Sequence, residues 1–578
     1  MLWVERNKVK PKSNTFIKQA SMIKVSDKSP RLKTTLKSLK LYCIHSSVNS
    51  LKYLVDSQRP WFERIMWVII HCIIISFLVS MVHTSYQEFV SAPLITSRDA
   101  NDIKTSHLSF PGIAICSINR ISLQSAKKLA INISNAKVTD RSVDEILNLI
   151  MQLGNLYVSM MVTDNSNNVE LDKLLTTYYN GSYDVAQIMK TLTPQCSTML
   201  VKCMLHGIDR NCSELFEFRK TQNGYCCTFN YVRESDDIPE LNNMIKLTRD
   251  QERVENLGIE HGLSVIMDPL LDDNFYSILP IKGWKVTVFN PTDYPDTTSG
   301  GVTEVFAMPE YETYLNVEAT LFSSSQTIIN LPRNKRKCIF SDETVFSNIT
   351  IYTYSDCIVN CKINDIQEFC GCRPFIYPRR GKKEYSWRIC NITDFQCLNK
   401  YKSKQLMIFP YEDNHSSFLK EEDKALHCLH CYPACNDITY AILSRRNHMD
   451  HGTFEPNLFP NYKITNEGVL HVYFSNYRTI QLKQDVSSYW YNLLSDIGGL
   501  CGVFIGFSFI TIVELLYFFV LLFHDLFCKK STLQKDDRKT EIPPDQTQTT
   551  GELYWNELLP RSWHSAKYGK FSTKKARY

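Results

Sequence analysis

Two long apolar runs, one near each end of the chain, dominate the pattern of hydrophobic and polar positions. Ile65–Val82 contains no lysine, arginine, aspartate or glutamate, and Ile497–Phe523 contains a single acid, Glu514. A helix needs about 20 apolar residues to cross the hydrocarbon core of a bilayer. The pattern therefore predicts two membrane spans, at 65–82 and within 489–523, on either side of a long polar segment at 83–488.

The second run differs from the first because glycines interrupt it and acids accompany it. Asp496 directly precedes the run, and Glu514 lies inside it. An acid within a span usually faces water or a partner, and glycines let helices approach closely or let the backbone open beside a cavity. Two interpretations follow, a pore-lining helix or a packing helix whose acid is paired or reaches the membrane surface. The glycines are Gly498, Gly499, Gly502 and Gly506.

The segment between the spans shows the periodicities of a mixed fold. Residues 108–119 and 284–290 are rich in β-branched and aromatic residues, which predicts strands. Ser142–Leu153 places Val143, Ile146, Leu147 and Ile150 on one helical face. Residues 268–300 carry the Pro, Asp and Gly of turns. Ten cysteines lie between Cys338 and Cys435, and this predicts a part stapled by disulfides because large aliphatic residues are few there.

Charge predicts the orientation of the spans. Residues 1–64 hold 14 Lys+Arg against 4 Asp+Glu, residues 524–578 hold 11 against 7, and residues 65–523 hold 40 against 49. Basic segments stay on the cytoplasmic side, so both termini are predicted to be cytoplasmic and the middle extracellular. The net charge of +5 hides this asymmetry, and no nucleic-acid partner is expected.

Cysteines and glycosylation motifs fit the same orientation. Of 20 cysteines, 16 lie between the spans, as an oxidising compartment favours. His427-Cys428-Leu429-His430-Cys431 has the short spacing of zinc ligands, but outside the cell disulfides are the preferred interpretation, as they are for vicinal Cys226-Cys227; no metal is expected. The N-x-Ser/Thr acceptors are Asn132, Asn180, Asn211, Asn348, Asn391 and Asn414.

Several separated motifs resemble those of one family of membrane proteins, and they follow its order along the chain. Residues 40–525 resemble the degenerin/epithelial sodium channel family, and most closely its insect pickpocket branch. The motifs are Phe110–Asn119 after the first span, Gly224–Asn230, Asn290–Pro295, Cys357-x3-Cys361-x8-Cys370-x-Cys372, Cys428-x2-Cys431-x3-Cys435, and Asp496-Ile-Gly-Gly499 followed by Gly506-Phe507-Ser508 and Glu514.

The resemblance implies an α+β membrane protein in which two transmembrane helices flank a large disulfide-rich extracellular domain. That domain has the shape of a clenched hand with palm, finger, thumb, knuckle and β-ball. It implies a homo- or heterotrimer in the plasma membrane that passes Na⁺, contacts membrane lipid and is often blocked by amiloride, without a cofactor. The expected segments are 1–64 cytoplasmic, 65–82 first span, 83–488 extracellular, 489–523 second span with the pore, and 524–578 cytoplasmic.

The resemblance also implies seven disulfides, and the two cysteines left over are expected to pair by elimination. The seven pairs are Cys338–Cys435, Cys357–Cys431, Cys361–Cys428, Cys370–Cys397, Cys372–Cys390, Cys116–Cys226 and Cys203–Cys212, and the remaining pair is Cys196–Cys227.

The same resemblance assigns roles within the second span. Three copies of Asp496 and of Glu514 would form acidic rings that concentrate cations, and Gly506-Phe507-Ser508 matches the selectivity filter. The Ser508 hydroxyl can offer an ion ligand or satisfy a broken helix turn, while back-bonding to its own helix is the simpler alternative. Ser495 occupies the position where bulk is expected to hold the gate open.

Two departures from the family pattern concern the cytoplasmic segments. The family's N-terminal His-Gly pair is His45-Ser46 here, and serine lacks glycine's backbone freedom. Pro543-Pro544 is not followed by the tyrosine of the ubiquitin-ligase motif known in some members. The intact filter residues favour a conducting subunit, whereas Ser46 favours an accessory or sensory-receptor subunit that conducts only in heteromers.

A membrane-anchored ectoenzyme is a third possible class of protein. No H-E-x-x-H, G-x-S-x-G or P-loop pattern occurs in the sequence. A membrane-anchored ectoenzyme is therefore not expected. The sequence does not select a gating stimulus among force, protons, peptides and small odorants.

Overall fold

The chain divides into two compact units in a computed structural model. The central unit is Tyr86–Leu493, and the terminal unit combines Met1–Ser85 with Leu494–Tyr578. The structure describes residues 39–44, 46, 51–56, 58–91, 94–100, 102–157, 165–233, 251–341, 343, 352–378, 388–409, 425–449, 459 and 462–528.

The helices differ in length between the two units. Long apolar helices belong to the ends of the chain, and most of the others are short. In chain order they are α1 Leu51–Val55, α2 Trp61–Ser91, α3 Leu123–Asn135, α4 Val143–Ile150, α5 Asn165–Tyr178, α6 Val185–Leu192, α7 Cys196–Met199, α8 Cys212–Leu215, α9 Arg333–Arg336, α10 Tyr354–Cys370, α11 Phe395–Leu406, α12 Trp490–Ile505 and α13 Phe509–Cys528.

Within the residues that the structure describes, the strands all lie in the central unit. In chain order they are β1 Leu94–Arg98, β2 Ile103–Lys104, β3 Gly112–Ser117, β4 Asn119–Ser122, β5 Leu200–Leu205, β6 Ile208–Arg210, β7 Phe216–Thr221, β8 Gly224–Phe229, β9 Leu263–Met267, β10 Asn274–Ser277, β11 Trp284–Phe289, β12 Thr303–Ala307, β13 Tyr311–Ser324, β14 Ile408–Phe409, β15 Leu426–His427, β16 Asp437–His448, β17 Gly468–Phe474 and β18 Arg478–Val486.

Two large sheets organise the central unit. The nine-stranded sheet has the order β1-β18-β13-β17-β9-β5-β6, with β16 also paired to β13 and β2 to β18. The five-stranded sheet has the order β12-β11-β3-β8-β7. The large sheet is mixed because β13 runs parallel to both β17 and β18. Two small sheets, β10-β4 and β14-β15, complete the strands.

The main core lies between these two sheets. Val472 from the nine-stranded sheet and Val286 from the five-stranded sheet are fully buried in one apolar cluster. Phe110 is also fully buried there, and its ring meets Phe229 and Phe474 edge to face at 6.1 and 5.3 Å between centroids. Burial of such aromatic rings is among the largest single contributions to a core.

A second core is helical, and it contains the helix predicted from Ser142–Leu153. Ser142 caps α4 with a capping box, since its side chain accepts from the Glu145 backbone while the Glu145 carboxylate accepts from Ser142. Ile146 and Ile150 are fully buried in a cluster with residues of α3, α5 and α6. The α-helix ends at Ile150, and a 3₁₀ helix continues over Met151–Leu156. The prediction is confirmed, with a tighter last turn.

The two predicted strands are also confirmed. The segment 108–119 contains β3, and 284–290 contains β11. They are antiparallel neighbours, with Ile115 opposite Val286. The turn-rich region 268–300 additionally holds β10, a short strand paired with β4.

The described residues contain eight disulfides. Five of them cross-link the segment between Cys338 and Cys435, and three lie among the strands nearer the N-terminus. The pairs are Cys116–Cys226, Cys196–Cys227, Cys203–Cys212, Cys338–Cys435, Cys357–Cys431, Cys361–Cys428, Cys370–Cys397 and Cys372–Cys390. These are the pairs that the family resemblance and elimination imply.

Candidate ion-conduction site

The second apolar run is not one helix. Helix α12 ends at Ile505, α13 begins at Phe509, and the two are bent by 77° at the break between them. The break coincides with Gly506-Phe507-Ser508, the three residues expected to form the filter. Of the described helices, α2 is long and apolar enough to span a membrane alone, and α12 with α13 meets the same test as a bent pair.

Glycine at position 506 explains where α12 stops. Its φ of 74° is left-handed, a conformation that an L side chain adopts only at an energetic cost. The Gly506 N–H still donates to the carbonyl of Gly502 at 3.0 Å, and the Phe507 N–H donates to Cys501 at 3.2 Å. A left-handed glycine directly after the last helical residue is a common helix terminator.

Ser508 then starts the second half-helix. Its hydroxyl accepts from the Thr511 N–H at 3.4 Å, and its own N–H donates to Thr511 Oγ1 at 3.2 Å. This reciprocal pair satisfies donors that a helix start leaves free. Of the alternatives for this hydroxyl, the structure shows it capping the broken turn. Thr511 is fully buried, and the Ser-x-x-Thr spacing was the sequence signal that could have identified it.

The break has an electrostatic polarity. The last carbonyls of a helix lack intrahelical partners and carry partial negative charge, so the end of α12 at Ile505 presents oxygen atoms that favour a cation. Asp496 is exposed on α12 ten residues before Gly506, which is about 15 Å along a helix. Glu514 is half-buried on α13, six residues after Ser508. The two acids therefore lie on different half-helices, and Ser495 is exposed beside Asp496.

The segment before the first span contacts the second half-helix. Residues 39–44 are helical, and the Ser46 N–H donates to the Tyr42 carbonyl at 2.8 Å. The Tyr42 ring lies 4.7 Å from the Phe518 ring on α13. On the other half-helix, Phe504 lies 6.1 Å from Phe77 of α2. His45 lies outside the described residues.

The four possible zinc ligands between His427 and Cys431 cannot bind a metal together, because two of them are in disulfides. Cys428 and Cys431 form disulfides with Cys361 and Cys357, and a disulfide sulfur is not a thiolate ligand. His427 and His430 are exposed. The alternative interpretation as a zinc site is therefore replaced by the disulfide one.

The glycosylation motifs differ in accessibility. Asn132, Asn180 and Asn211 are exposed. Asn391 is half-buried, and its amide nitrogen donates to Asp172 Oδ1 at 3.1 Å, so the atom that would carry a glycan is occupied. Asn348 and Asn414 lie outside the described residues.

Buried ion pairs are a feature of the central unit that the sequence did not reveal. Arg233 binds Asp356 through two hydrogen bonds of 2.9 and 2.7 Å, with both side chains 2% exposed. Lys362 binds Asp296 at 2.9 and 2.7 Å, with side chains 1% and 0% exposed. No local pattern signals these pairs, because their partners are 123 and 66 residues apart.

A third acid nearby, the half-buried Asp293, has a shifted pKa. Burial, reinforced by the carboxylates of Asp437 and Asp356, raises the pKa of Asp293 to about 8 despite the opposing effects of Arg233 and Thr292. Burial also raises the pKa of Asp437. Asp293 belongs to the Asn290–Pro295 turn singled out in the sequence.

These parts together define a class. A long apolar helix, a bent pair of apolar helices with a break at a Gly-x-Ser sequence, and a disulfide-rich α+β unit are the features of an ion channel of the degenerin type. A sequence model of the family described as "Amiloride-sensitive sodium channel" matches residues 42–518. The chain therefore belongs to this family, the degenerin/epithelial sodium channel family, whose members are ion channels and not enzymes.

Individual relatives place the chain in the pickpocket-like branch. It is 22% identical to sodium channel protein Nach of Drosophila melanogaster, with 83% of this chain and 86% of that protein covered. It is 23% identical to pickpocket protein 28 of the same species, with 87% and 81% covered. It is 22% identical to acid-sensing ion channel 1 of Gallus gallus, with 87% of each chain covered.

Proposed function

We propose that the chain is a pore-forming subunit of a trimeric channel that passes Na⁺ across the plasma membrane. The observation that carries this proposal is the break at Gly506-Phe507-Ser508 between two apolar half-helices. Inside a bilayer, a non-helical backbone is tolerated only where it is buried in protein or lines a water-filled cavity. Three such breaks around one axis would surround a short constriction lined by carbonyl oxygens.

The proposed selectivity follows from what an ion needs at that constriction. Na⁺ leaves its hydration shell only where oxygen dipoles replace part of it. Gly506 has no side chain to cover the backbone oxygens, and the Ser508 hydroxyl is held in place by Thr511. Rings of Asp496 and Glu514 on the two half-helices would concentrate cations on either side.

The proposed topology has two spans, α2 and the bent pair α12–α13. The basic segments 1–64 and 524–578 would then be cytoplasmic, and the disulfide-stapled central unit would be extracellular. Membrane lipid, related subunits and amiloride, which the family's description names, are the proposed partners.

A second candidate function is a subunit that conducts only in heteromers. It is favoured by Ser46, which replaces the family glycine and has less backbone freedom. The N–H at this position donates to the Tyr42 carbonyl. Tyr42 in turn contacts Phe518 of α13, so a change in this segment bears directly on the proposed pore helix.

The substitution Gly506→Ala tests the filter. A methyl group at φ 74° strains the break and covers backbone oxygens, so we expect a lower Na⁺ current and weaker discrimination against K⁺. The matched control is Gly499→Ala, since a Cβ added to Gly499 in α12 would meet no atom of the chain within 4 Å. Reversal potential and surface protein are measured together, with the chain alone and with a conducting relative.

Two substitutions of Ser508 test the role of its hydroxyl. Ser508→Thr keeps the capping hydroxyl and should preserve assembly, whereas Ser508→Ala loses a cap worth about 1 kcal/mol. An unchanged Na⁺/K⁺ permeability ratio in Gly506→Ala channels that demonstrably contain this subunit would remove residue 506 from the filter.

A further inference from the structure

Asp485 lies where three parts of the central unit meet. It faces Ile95 across the β1–β18 ladder, so the strand that follows α2 and the strand that precedes α12 are joined at this residue. Ser325 and Thr327, in the turn that leads from β13 toward the segment Cys338–Cys435, bind its carboxylate. Asp485 therefore links β18 to β1 through strand pairing and to the base of the disulfide-rich segment through its carboxylate.

The carboxylate is held by several donors at one oxygen. Asp485 Oδ1 accepts from Ser325 Oγ at 2.7 Å, from Thr327 Oγ1 at 3.0 Å and from Tyr489 Oη at 3.3 Å. It also accepts from the backbone N–H of Val486 at 2.7 Å. Tyr489 directly precedes α12, so the network reaches the start of that helix.

These donors keep Asp485 ionised. Partial burial by itself would raise the pKa of its carboxyl, but the hydrogen bonds from Ser325, Val486, Thr327 and Tyr489 outweigh burial and lower that pKa. Hydrogen bonds to an ionised acceptor are stronger than those between neutral groups. The connection is thus made of charge-assisted bonds at neutral pH.

The turn at Ser324 and Ser325 also contacts the Cys338–Cys435 disulfide. The Ser325 N–H donates to the Gln484 carbonyl at 3.0 Å, and Ser324 Oγ donates to the Cys435 carbonyl at 2.7 Å. Cys435 is bonded to Cys338, whose sulfur lies 3.8 Å from Gln484 Oε1. A displacement of this disulfide must therefore either move the end of β18 or break these contacts.

We propose that Asp485 is a positioning residue for channel gating: its carboxylate transmits movement of the disulfide-rich segment to the strand that enters the pore helix. The residue lies five positions before Trp490, the first residue of α12. This inference rests on the proposed function, because it presumes that α12 and α13 line a gated pore.

The test compares variants of the full chain expressed with a conducting relative. Asp485→Ala removes the acceptor, the pair Ser325→Ala with Thr327→Val removes two donors, and a triple variant removes both sides. The control is Lys483→Ala, an exposed residue on the same strand. Each variant is combined with Ser495→Cys. Intact cells are then treated with a charged maleimide that does not cross the membrane, and both the rate of labelling of the introduced thiol and the current are measured.

We expect Asp485→Ala and the donor pair each to change the labelling rate about tenfold in the same direction, the scale of losing a hydrogen bond to a charged group. The triple variant should change it no further, because residues that act through one contact are not additive. Surface amount, the Na⁺/K⁺ permeability ratio and the Lys483→Ala rate should stay unchanged. An unchanged rate in Asp485→Ala, or additive effects in the triple variant, would overturn the proposal.

Milder variants and a readout that does not depend on current allow the test to be interpreted if a variant or the current fails. If Asp485→Ala does not reach the surface, Asp485→Asn and Thr327→Val replace it; retention of these milder variants beside normal delivery of Lys483→Ala would make Asp485 a folding residue and refute the proposal. Absence of current from the wild-type complex would count against the proposed function alone, since thiol labelling reports the mouth of α12 with or without conduction.

Discussion

The central and terminal units of the chain are stabilised by different partners. The central unit buries two large apolar clusters, two charged pairs and eight disulfides among its described residues. In the described part of the terminal unit, Leu78 and Thr511 are the buried side chains, while Ile73 and Val503 are 62% and 84% exposed. The central unit supplies its own contacts, whereas under the proposed topology lipid or further subunits would cover the apolar surface of the terminal unit.

Loss of the buried Lys362 charge should give the largest loss of stability. That loss should be confined to the central unit. Lys362→Met leaves the fully buried Asp296 carboxylate unpaired, and we expect unfolding to become easier by about 3–5 kcal/mol. Adding Asp296→Asn should recover most of that loss, because the amide oxygen can still accept from Thr298. Urea unfolding of the purified protein measures the free energy. Equal instability of the single and double variants would contradict the pair's role.

Removal of one disulfide should have the next largest effect. Cys361→Ala opens a cross-link between residues 67 positions apart, which is worth about 2–5 kcal/mol, and it leaves Cys428 free to mispair. We expect retention inside the cell. Cys361→Ala with Cys428→Ala controls for mispairing, and Cys72→Ala, which removes an exposed free cysteine of α2, should be delivered normally. Normal delivery of all three variants would mean that this cross-link is dispensable.

Neutralising Asp293 should give an effect that depends on pH and is smallest in acid. The native state keeps its proton up to about pH 8, whereas an unfolded chain loses it near pH 3.9. The native state thus binds more protons between these values, so this residue's contribution to stability is full below about pH 4 and is lost as pH rises to about 8.

Asp293→Asn imitates the protonated form and should remove that dependence. The gain in melting temperature over the wild type should grow from pH 5 to pH 8 and then level off. Asp209→Asn, at a side chain that is 58% exposed, should show no such trend. A gain that is equal at pH 5 and pH 8 would show that Asp293 titrates normally.

Features of the fold were predictable where the signal was local or carried by the family resemblance. The apolar face of Val143, Ile146, Leu147 and Ile150 identified α4, and the family resemblance of the cysteine motifs led to the pairs that the structure contains. The apolar run at 65–82 also located α2, although the helix is longer than that run. An apolar run shows where lipid contact ends, whereas a helix continues as long as its backbone bonds are satisfied.

The rest depended on contacts between distant residues. The pairing of Arg233 with Asp356 and the junction at Asp485 join segments more than 100 residues apart, and nothing in either segment alone identifies its partner. The break in the second apolar run was only partly visible in the sequence. Gly506 and Ser508 mark it, but four glycines occur in the run, and only Gly506 among them has a left-handed φ. Composition alone does not distinguish a helical glycine from one that ends a helix.

The antiparallel pairing of β1 with β18 has a mechanical consequence. The chain segments leading to α2 and α12 both leave this ladder at its Leu94–Val486 end. A force that separates these segments therefore acts first on the Leu94–Val486 pair. The hydrogen bonds of the ladder then break one after another, because the five pairs do not bear the force together. Each backbone bond contributes about 1 kcal/mol, so the ladder yields to a small lateral pull while the rest of the sheet stays intact.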